Sequence, residues 1–278
     1  MAFDEQFGIR YFENSRRASG SSIVLIHGLG NSLDFWHQVS PKLADIAHVV
    51  VLDLPGFGRS RSPAVANFDE YVTTVSEFLR SRSLHQVHLV GHSMGAIVAL
   101  GVAPRIDQTS GITLIDGTLF TASRILHHPS DALSAPKVGV NLSAQFAGSL
   151  IPLNNAVRHA ITRNATIRRL LFAPFTFNAA EISPDVLAAA LSHNTGRGIK
   201  LAYNLATQTD LPTLCRDVAQ VEVSLLWGED DRLLTDEDVQ EAKQLLHVTY
   251  SESLANCGHW PQLERPDAVV AHIAARIE

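Results

Sequence analysis

Cysteine is nearly absent from this chain. Cys215 and Cys257 are the only two in 278 residues, and no CxxC pair exists. A disulfide framework or a cysteine-based metal site is therefore not expected. No apolar run approaches the roughly 20 residues that cross a bilayer, so no membrane span is expected. Charged residues make up only 18%, and the net charge of −6 has the wrong sign for a nucleic-acid surface. The opening residues MAFDEQFGIRYFENSRR lack the charged-then-apolar order of a secretory signal, which leads to a cytoplasmic expectation. His127, His128, His159 and His193 fit no zinc-ligand spacing. With no organic-cofactor motif either, both metal and cofactor are expected to be none. No pattern specifies an oligomeric state.

What is present is an ordinary globular composition, 46% hydrophobic, of a length that fits one large α/β domain carrying an insertion. The unbroken apolar runs SIVLIH (22–27) and HVVVLDL (48–54) suggest strands buried on both faces of a parallel sheet. A helical stretch around Leu33–Ala44 separates them. Asn67-Phe-Asp-Glu70 reads as a variant capping box that opens a helix to about Ser81, with Tyr71, Val75, Phe78 and Leu79 on one face. VHLVGH as strand, MGAIVALGVA as helix and GITLIDG (111–117) as strand follow. FGIRYFEN adds an antiparallel edge strand. This alternation predicts an α/β class with a mostly parallel sheet between helices.

After Gly117 the alternation stops. Residues 119–212 show helical patterns interrupted by Pro129, Pro136, Pro152, Pro174 and Pro184, and no strand. The rhythm resumes with VEVSLLWG (221–228), a helix from about Asp236, strand VTYSESL and a closing helix from Pro266. The expected division is a core of 1–118 and 213–278 with a helical insertion at 119–212. The insertion carries eight Arg/Lys against four Asp/Glu, while the remainder carries 14 against 24. A solvated helical surface explains that contrast most simply.

One short stretch points to chemistry. In VHLVGHSMGAIVAL (87–100) a strand runs into Gly91-His-Ser93-Met-Gly95 and then directly into a helix. So tight a turn forces Ser93 to positive φ, a strain of roughly 1–3 kcal/mol that chains seldom carry without use. The following helix aims free N–H groups at the turn, and the Met94 N–H is a candidate oxyanion donor. A serine nucleophile needs a base, and the base an orienting acid. LLWGEDDRLL (225–234) ends a strand in acids, and NCGHWPQLERP (256–266) places His259 in a loop after the last strand. The chain order is Ser, Asp, His.

These segments, together with HGLG (27–30) and DLPGFGRS (53–60), resemble the α/β-hydrolase superfamily, in its serine-nucleophile branch with a helical cap. The resemblance spans nearly the whole chain outside the insertion. It implies Ser93 as nucleophile, His259 as base and Asp231 as acid. Asp231 is preferred to Asp230 because the family spacing is Gly-x-x-Asp from Gly228, and Asp116 is the alternative acid. It also implies Leu29 as the second oxyanion donor. His27 and His92 are read as structural, bonding loop backbone near the turn. Phe120, Phe146, Phe172 and Trp260 are candidate substrate-binding residues. The same rings could instead form the core of the insertion or, for Trp260, brace the histidine loop.

A serine rather than an aspartate at residue 93 points away from epoxide opening and dehalogenation. The expected function is hydrolysis of a carboxylic ester of a small or medium apolar substrate through an acyl-enzyme. The back half, GEDDR followed by CGHW, is similar to carbon–carbon hydrolases of ring-cleavage products. The front half, with HGLGNS and His92, departs from them. Lactone or thioester hydrolysis, and a receptor on the same fold, complete the alternatives.

Overall fold

Five stretches rich in leucine and β-branched residues form the middle of an eight-stranded sheet. The computed structural model describes residues 2–14, 20–65, 67–117, 119–149, 154–192 and 198–277. Its strands are β1 (Ala2–Asp4), β2 (Ile9–Asn14), β3 (Ser22–Ile26), β4 (His48–Leu52), β5 (Val87–His92), β6 (Thr109–Ile115), β7 (Val223–Gly228) and β8 (Val248–Leu254). They lie in the order β1-β2-β4-β3-β5-β6-β7-β8. From β4 through β8 every pairing is parallel. The N-terminal strand was expected at the sheet edge. Instead β2 pairs antiparallel with β4 on one side and with β1 on the other, so β1 is the edge.

Alternate residues of the central strands feed two layers. Val24 and Ile26 of β3 pack with α2 (Phe68–Arg80) and α3 (Met94–Val102), while Ile23 and Leu25 face the opposite layer, which includes Leu43, Val269 and Ile273. Each fully buried side chain of this size contributes roughly 1.5–3 kcal/mol. Asn67 caps α2 by accepting the Glu70 N–H at 2.9 Å, as its sequence predicts. The helix expected over 33–44 is broken into a 3-10 turn, Leu33–Trp36, and the single helical turn α1 (Ser40–Leu43). Pro41, without an N–H, starts that turn and keeps it from growing backward. The Leu33 N–H is also drawn off to the Asp53 carboxylate at 2.7 Å.

Between β6 and β7 run α4 (Phe120–His127), α5 (Pro136–Ser149), α6 (Asn155–Arg163), α7 (Ala165–Leu171), α8 (Pro184–Ala190), α9 (Ile199–Ala206) and α10 (Leu211–Asp217). Pro136 and Pro184 start helices, where their missing N–H is harmless. Pro152 lies outside the described residues. These helices do not build one separate core. Phe120, Ala202, Leu205 and Leu211 join the sheet's own core, and Phe172, Ile182 and Leu187 pack on Phe35, Trp260 and Leu263. α10 runs through residue 212, the expected end of the insertion. α11 (Asp236–Leu245), α12 (Pro261–Glu264) and α13 (Pro266–Ala274) complete the chain, and no helix among the described residues is long and apolar enough to cross a membrane.

Candidate active site

The parallel strands end along one edge of the sheet, where crevices of open α/β sheets form. His27 follows β3, Asp53 follows β4, Ser93 follows β5, Asp116 follows β6, Asp231 lies three residues past β7 and His259 five past β8. Six segments far apart in sequence thereby deliver polar side chains to one place.

Ser93 sits at φ 53° and ψ −123°, directly before α3. The turn closes because Gly91 and Gly95 lack side chains. A Cβ on Gly91 would come within 2.6 Å of the Ala96 nitrogen, and one on Gly95 within 2.6 Å of the His27 carbonyl oxygen. Ser93 Oγ lies 2.9 Å from His259 Nε2, and His259 Nδ1 lies 2.7 Å from Asp231 Oδ2. The carboxylate accepts from Nδ1–H, which leaves the Nε2 lone pair to accept the serine hydroxyl proton. The other Asp231 oxygen accepts the Leu233 N–H at 2.8 Å. Burial alone would raise the Asp231 carboxyl. The adjoining His259 ring, its hydrogen bond and the Leu233 N–H outweigh that, holding it below the ordinary carboxylate range.

Asp116 stands beside this chain in a different state. Its Oδ1 accepts the Gly228 N–H at 3.0 Å, while Oδ2 is buried and meets no N–H or hydroxyl donor. Burial and the neighbouring Asp231 carboxylate push it well above the usual range. Two facing carboxyls can bond only through a proton that one of them holds. Asp116, the raised carboxyl, is the one that favours the proton beside an anionic Asp231.

The two histidines read as structural bond to backbone. His27 donates from Nδ1 to the Gly28 oxygen at 2.8 Å and accepts the Leu54 N–H on Nε2 at 3.0 Å. His92 Nε2 donates to the His259 carbonyl oxygen at 2.7 Å, tying the serine turn to the histidine loop. Burial lowers the His92 ring to about 3, so it is neutral at ordinary pH. Among the described residues, His92, Asp116 and His259 bring ligand-type atoms within 4.8 Å of one another. Both His259 nitrogens and one of His92 are already bonded, which leaves two donors for a cation that needs at least three from protein. His127 and His159 join no such group, and His193 lies outside the described residues.

Two supports escaped the sequence. Asp53, wholly buried, accepts the Leu33 and Arg59 N–H groups at 2.7 and 2.8 Å and pairs with Arg10 at 3.2 Å, fixing the HGLGNS loop. Glu264 accepts the Gly258 and Phe177 N–H groups, each at 2.8 Å, clamping the His259 loop to the inserted segment. The motifs DLPGFGRS and GHWPQLERP contain both residues, but their partners are fixed only by the fold. Cys257 is buried and its thiol is pushed up by burial, so it packs rather than reacts.

A cleft opens beside Ser93. Leu29 and Met94 lie on its wall, and neither backbone N–H bonds to another described residue. Phe146 also lines it. The other three aromatic candidates do not. Phe120 is 2% exposed within the sheet core. Phe172 and Trp260 pack together at 5.6 Å, and Trp260 stacks on Phe175 at 5.1 Å and meets Phe35 edge-on at 5.4 Å. Rings of that size gain most where all their faces are covered, and these sites offer it. Ile97, Leu126, Leu142 and Gln145 supply cleft wall that the sequence reading did not single out.

The model of a family described as "Alpha/beta hydrolase family" matches residues 23–272. The chain is 23% identical to "Lipase 1" of Psychrobacter immobilis over 92% of this chain and 76% of that protein. It is 22% identical to "2-hydroxy-6-oxo-6-(2'-aminophenyl)hexa-2,4-dienoic acid hydrolase" of Metapseudomonas resinovorans, over 93% and 83%. Among solved structures, E-2-(acetamidomethylene)succinate hydrolase superposes with a TM-score of 0.72 at 18% identity, covering 97% of this chain and 94% of that one.

Proposed function

The chain belongs to the alpha/beta hydrolase family, and from that premise we propose that it cleaves carboxylic esters of small or medium apolar substrates. The route is an acyl-enzyme on Ser93, with His259 as base and Asp231 as its orienting acid. The observation that carries this reading is the unbroken contact line, Ser93 Oγ to His259 Nε2 at 2.9 Å and Nδ1 to Asp231 Oδ2 at 2.7 Å, opening on an apolar cleft.

In this mechanism His259 takes the Ser93 proton as Oγ attacks the ester carbonyl. The developing oxyanion is met by the Leu29 and Met94 N–H groups, which have no competing acceptor among the described residues. Losing one such donor typically slows turnover by about 10²–10³. Imidazolium then passes its proton to the departing alcohol. Water, deprotonated by the same ring, releases the acid. Residues 119–212 act as a cap, since α4, α5 and α9 supply cleft wall over Ser93 and exclude bulk water.

Carbon–carbon hydrolysis of ring-cleavage acids is the second reading, suggested by the Metapseudomonas relative. That relative's substrate is named as an acid. Among the described residues no Lys, Arg or His side chain lines the cleft to pair with a carboxylate, which favours the ester reading. A covalent serine probe tests it. The wild-type chain should label at Ser93 and Ser93→Ala should not, with turnover of an apolar p-nitrophenyl ester lost by about 10⁶-fold. Equal labelling of the two proteins would refute the assignment.

A further inference from the structure

α5 presents a helical stripe to the interior: Val138 and Leu142 are buried, and the next position on that face is Gln145. A glutamine there is out of keeping with its neighbours. It is 8% exposed, and its side-chain amide bonds to no protein group. Gln145 nevertheless lines the cleft, whose wall it shares with Ser93. Buried amides are ordinarily hydrogen-bonded, so an unpartnered one facing a ligand space asks what it meets there.

The remaining cleft polarity narrows the answer. Thr209 spends its hydroxyl on the Leu205 carbonyl at 2.8 Å, and Ser93 faces His259. Among the described lining residues only Ser123, on the adjoining α4, is left with an unused hydroxyl. Among the described residues no Asp, Glu, Lys, Arg or His lines the cleft, so none of them neutralises an ion there. A primary amide offers two donors and one acceptor, which suits a hydroxyl or ketone oxygen. Bare hydrocarbon would leave it dry.

We propose that Gln145, assisted by Ser123, is a specificity-determining subsite for a substrate chain bearing one uncharged oxygen function, a hydroxyl or ketone, away from the scissile ester. The inference rests on the ester-hydrolase reading and narrows it from any apolar ester to this class. A site built to bond such a group disfavours the analogue that lacks it, because the amide is then left unpaired.

The test compares kcat/KM within matched esters. On the acyl side these are p-nitrophenyl octanoate and its 6-, 7- and 8-hydroxy and 6- and 7-oxo derivatives. On the alcohol side they are octyl acetate and the corresponding monoacetates of octanediols. The wild-type enzyme should favour at least one oxygenated member over its parent by about tenfold or more. Gln145→Met and Gln145→Leu should bring that ratio close to one, and Ser123→Ala should lower it partway. Gln145→Met should melt at or above the wild-type temperature, because no protein bond is broken. A flat wild-type ratio at every position, or a preference that survives Gln145→Met, would overturn the proposal. So would a Gln145→Met protein that melts lower with its ratio unchanged. If the serine probe also fails to label Ser93, the ester-hydrolase reading has failed. If the probe labels and only the ratios are flat, this subsite alone has.

Discussion

Gly95→Ala should separate the placement of the nucleophile from the stability of the fold. The added Cβ would lie 2.6 Å from the His27 carbonyl oxygen and nearer still to that of Ile26, whereas ordinary contact begins at 3.4 Å. The Ile26 oxygen ends β3, held by parallel strands on either side, and the His27 oxygen follows it directly; both are backbone, so rotamer changes cannot relieve the clash. The start of α3 must retreat by at least about 0.8 Å. Ser93 and the Met94 N–H move with it, while His259 and Leu29 stay on other segments. A displacement near 1 Å costs about 10² in rate, and overpacking costs about 1–3 kcal/mol of stability. The control is Gly101→Ala, later in the same helix, whose Cβ meets the Val72 and Phe68 side chains at 2.9 and 3.0 Å. Side chains can rotate away, so this variant should lose stability without moving Ser93. Labelling rates with the serine probe, read beside thermal unfolding, should fall about 100-fold for Gly95→Ala and less than threefold for Gly101→Ala. Wild-type labelling by Gly95→Ala, at an unchanged melting temperature, would refute the close-packing account of the turn.

The two neighbouring carboxyls predict opposite outcomes. Asp231→Asn removes the anion that orients His259 and should lower kcat by about 10⁴, whereas Asp116→Asn keeps both a donor toward Asp231 and an acceptor for Gly228 and should stay within about tenfold. Asp116 is raised in the folded state, so its favourable contribution is complete below the unfolded carboxyl value and is lost as pH rises through the folded one. Asp116→Asn should therefore be at least as stable as wild type at pH 8 by urea unfolding, and a marked loss there would contradict a neutral Asp116. His88 and His92 are buried, with burial lowering them to about 4 and about 3. Their folded values lie below the unfolded value of about 6.5, so stability is lost as pH falls beneath 6.5, by roughly 2 kcal/mol each at pH 5. Denaturant midpoints unchanged between pH 7 and pH 5 would exclude that. Glu264→Ala strands the Gly258 and Phe177 N–H groups and should cost about 2–4 kcal/mol, with slower labelling of Ser93 as the His259 loop loosens.

Much of this arrangement was legible because local rules and global fold agree. β3 and β4 appear as continuous apolar runs, and parallel strands buried on both faces need that composition. The asparagine at 67 announced α2 because a cap is a contact over three residues. Local patterns left alternatives open where the deciding contact is distant. The segment after Leu33 has helical composition, yet its first N–H is captured by Asp53, 20 residues later. Phe120, Phe172 and Trp260 have the chemistry of a pocket wall, but which surface a ring covers depends on helices whose docking no local pattern encodes. Gln145 was overlooked for the complementary reason. On a surface helix it would be unremarkable, and it gains meaning only once Val138 and Leu142 are seen to turn that face inward.

The sequence by itself determined the alternating α/β architecture, the positive-φ serine turn fenced by glycines, and the chain order of serine, acid and histidine. Each depends on backbone sterics or periodicity within a dozen residues, so each survives without knowledge of anything farther off. Only the tertiary structure decided which carboxyl faces the imidazole, which of the two holds a proton, and which side chains wall the cleft. Those outcomes turn on ångström-scale distances between segments as far apart in the chain as Leu29 and Leu211, which wall the same cleft. Charge, proton affinity and hydrogen bonding all change steeply over such distances.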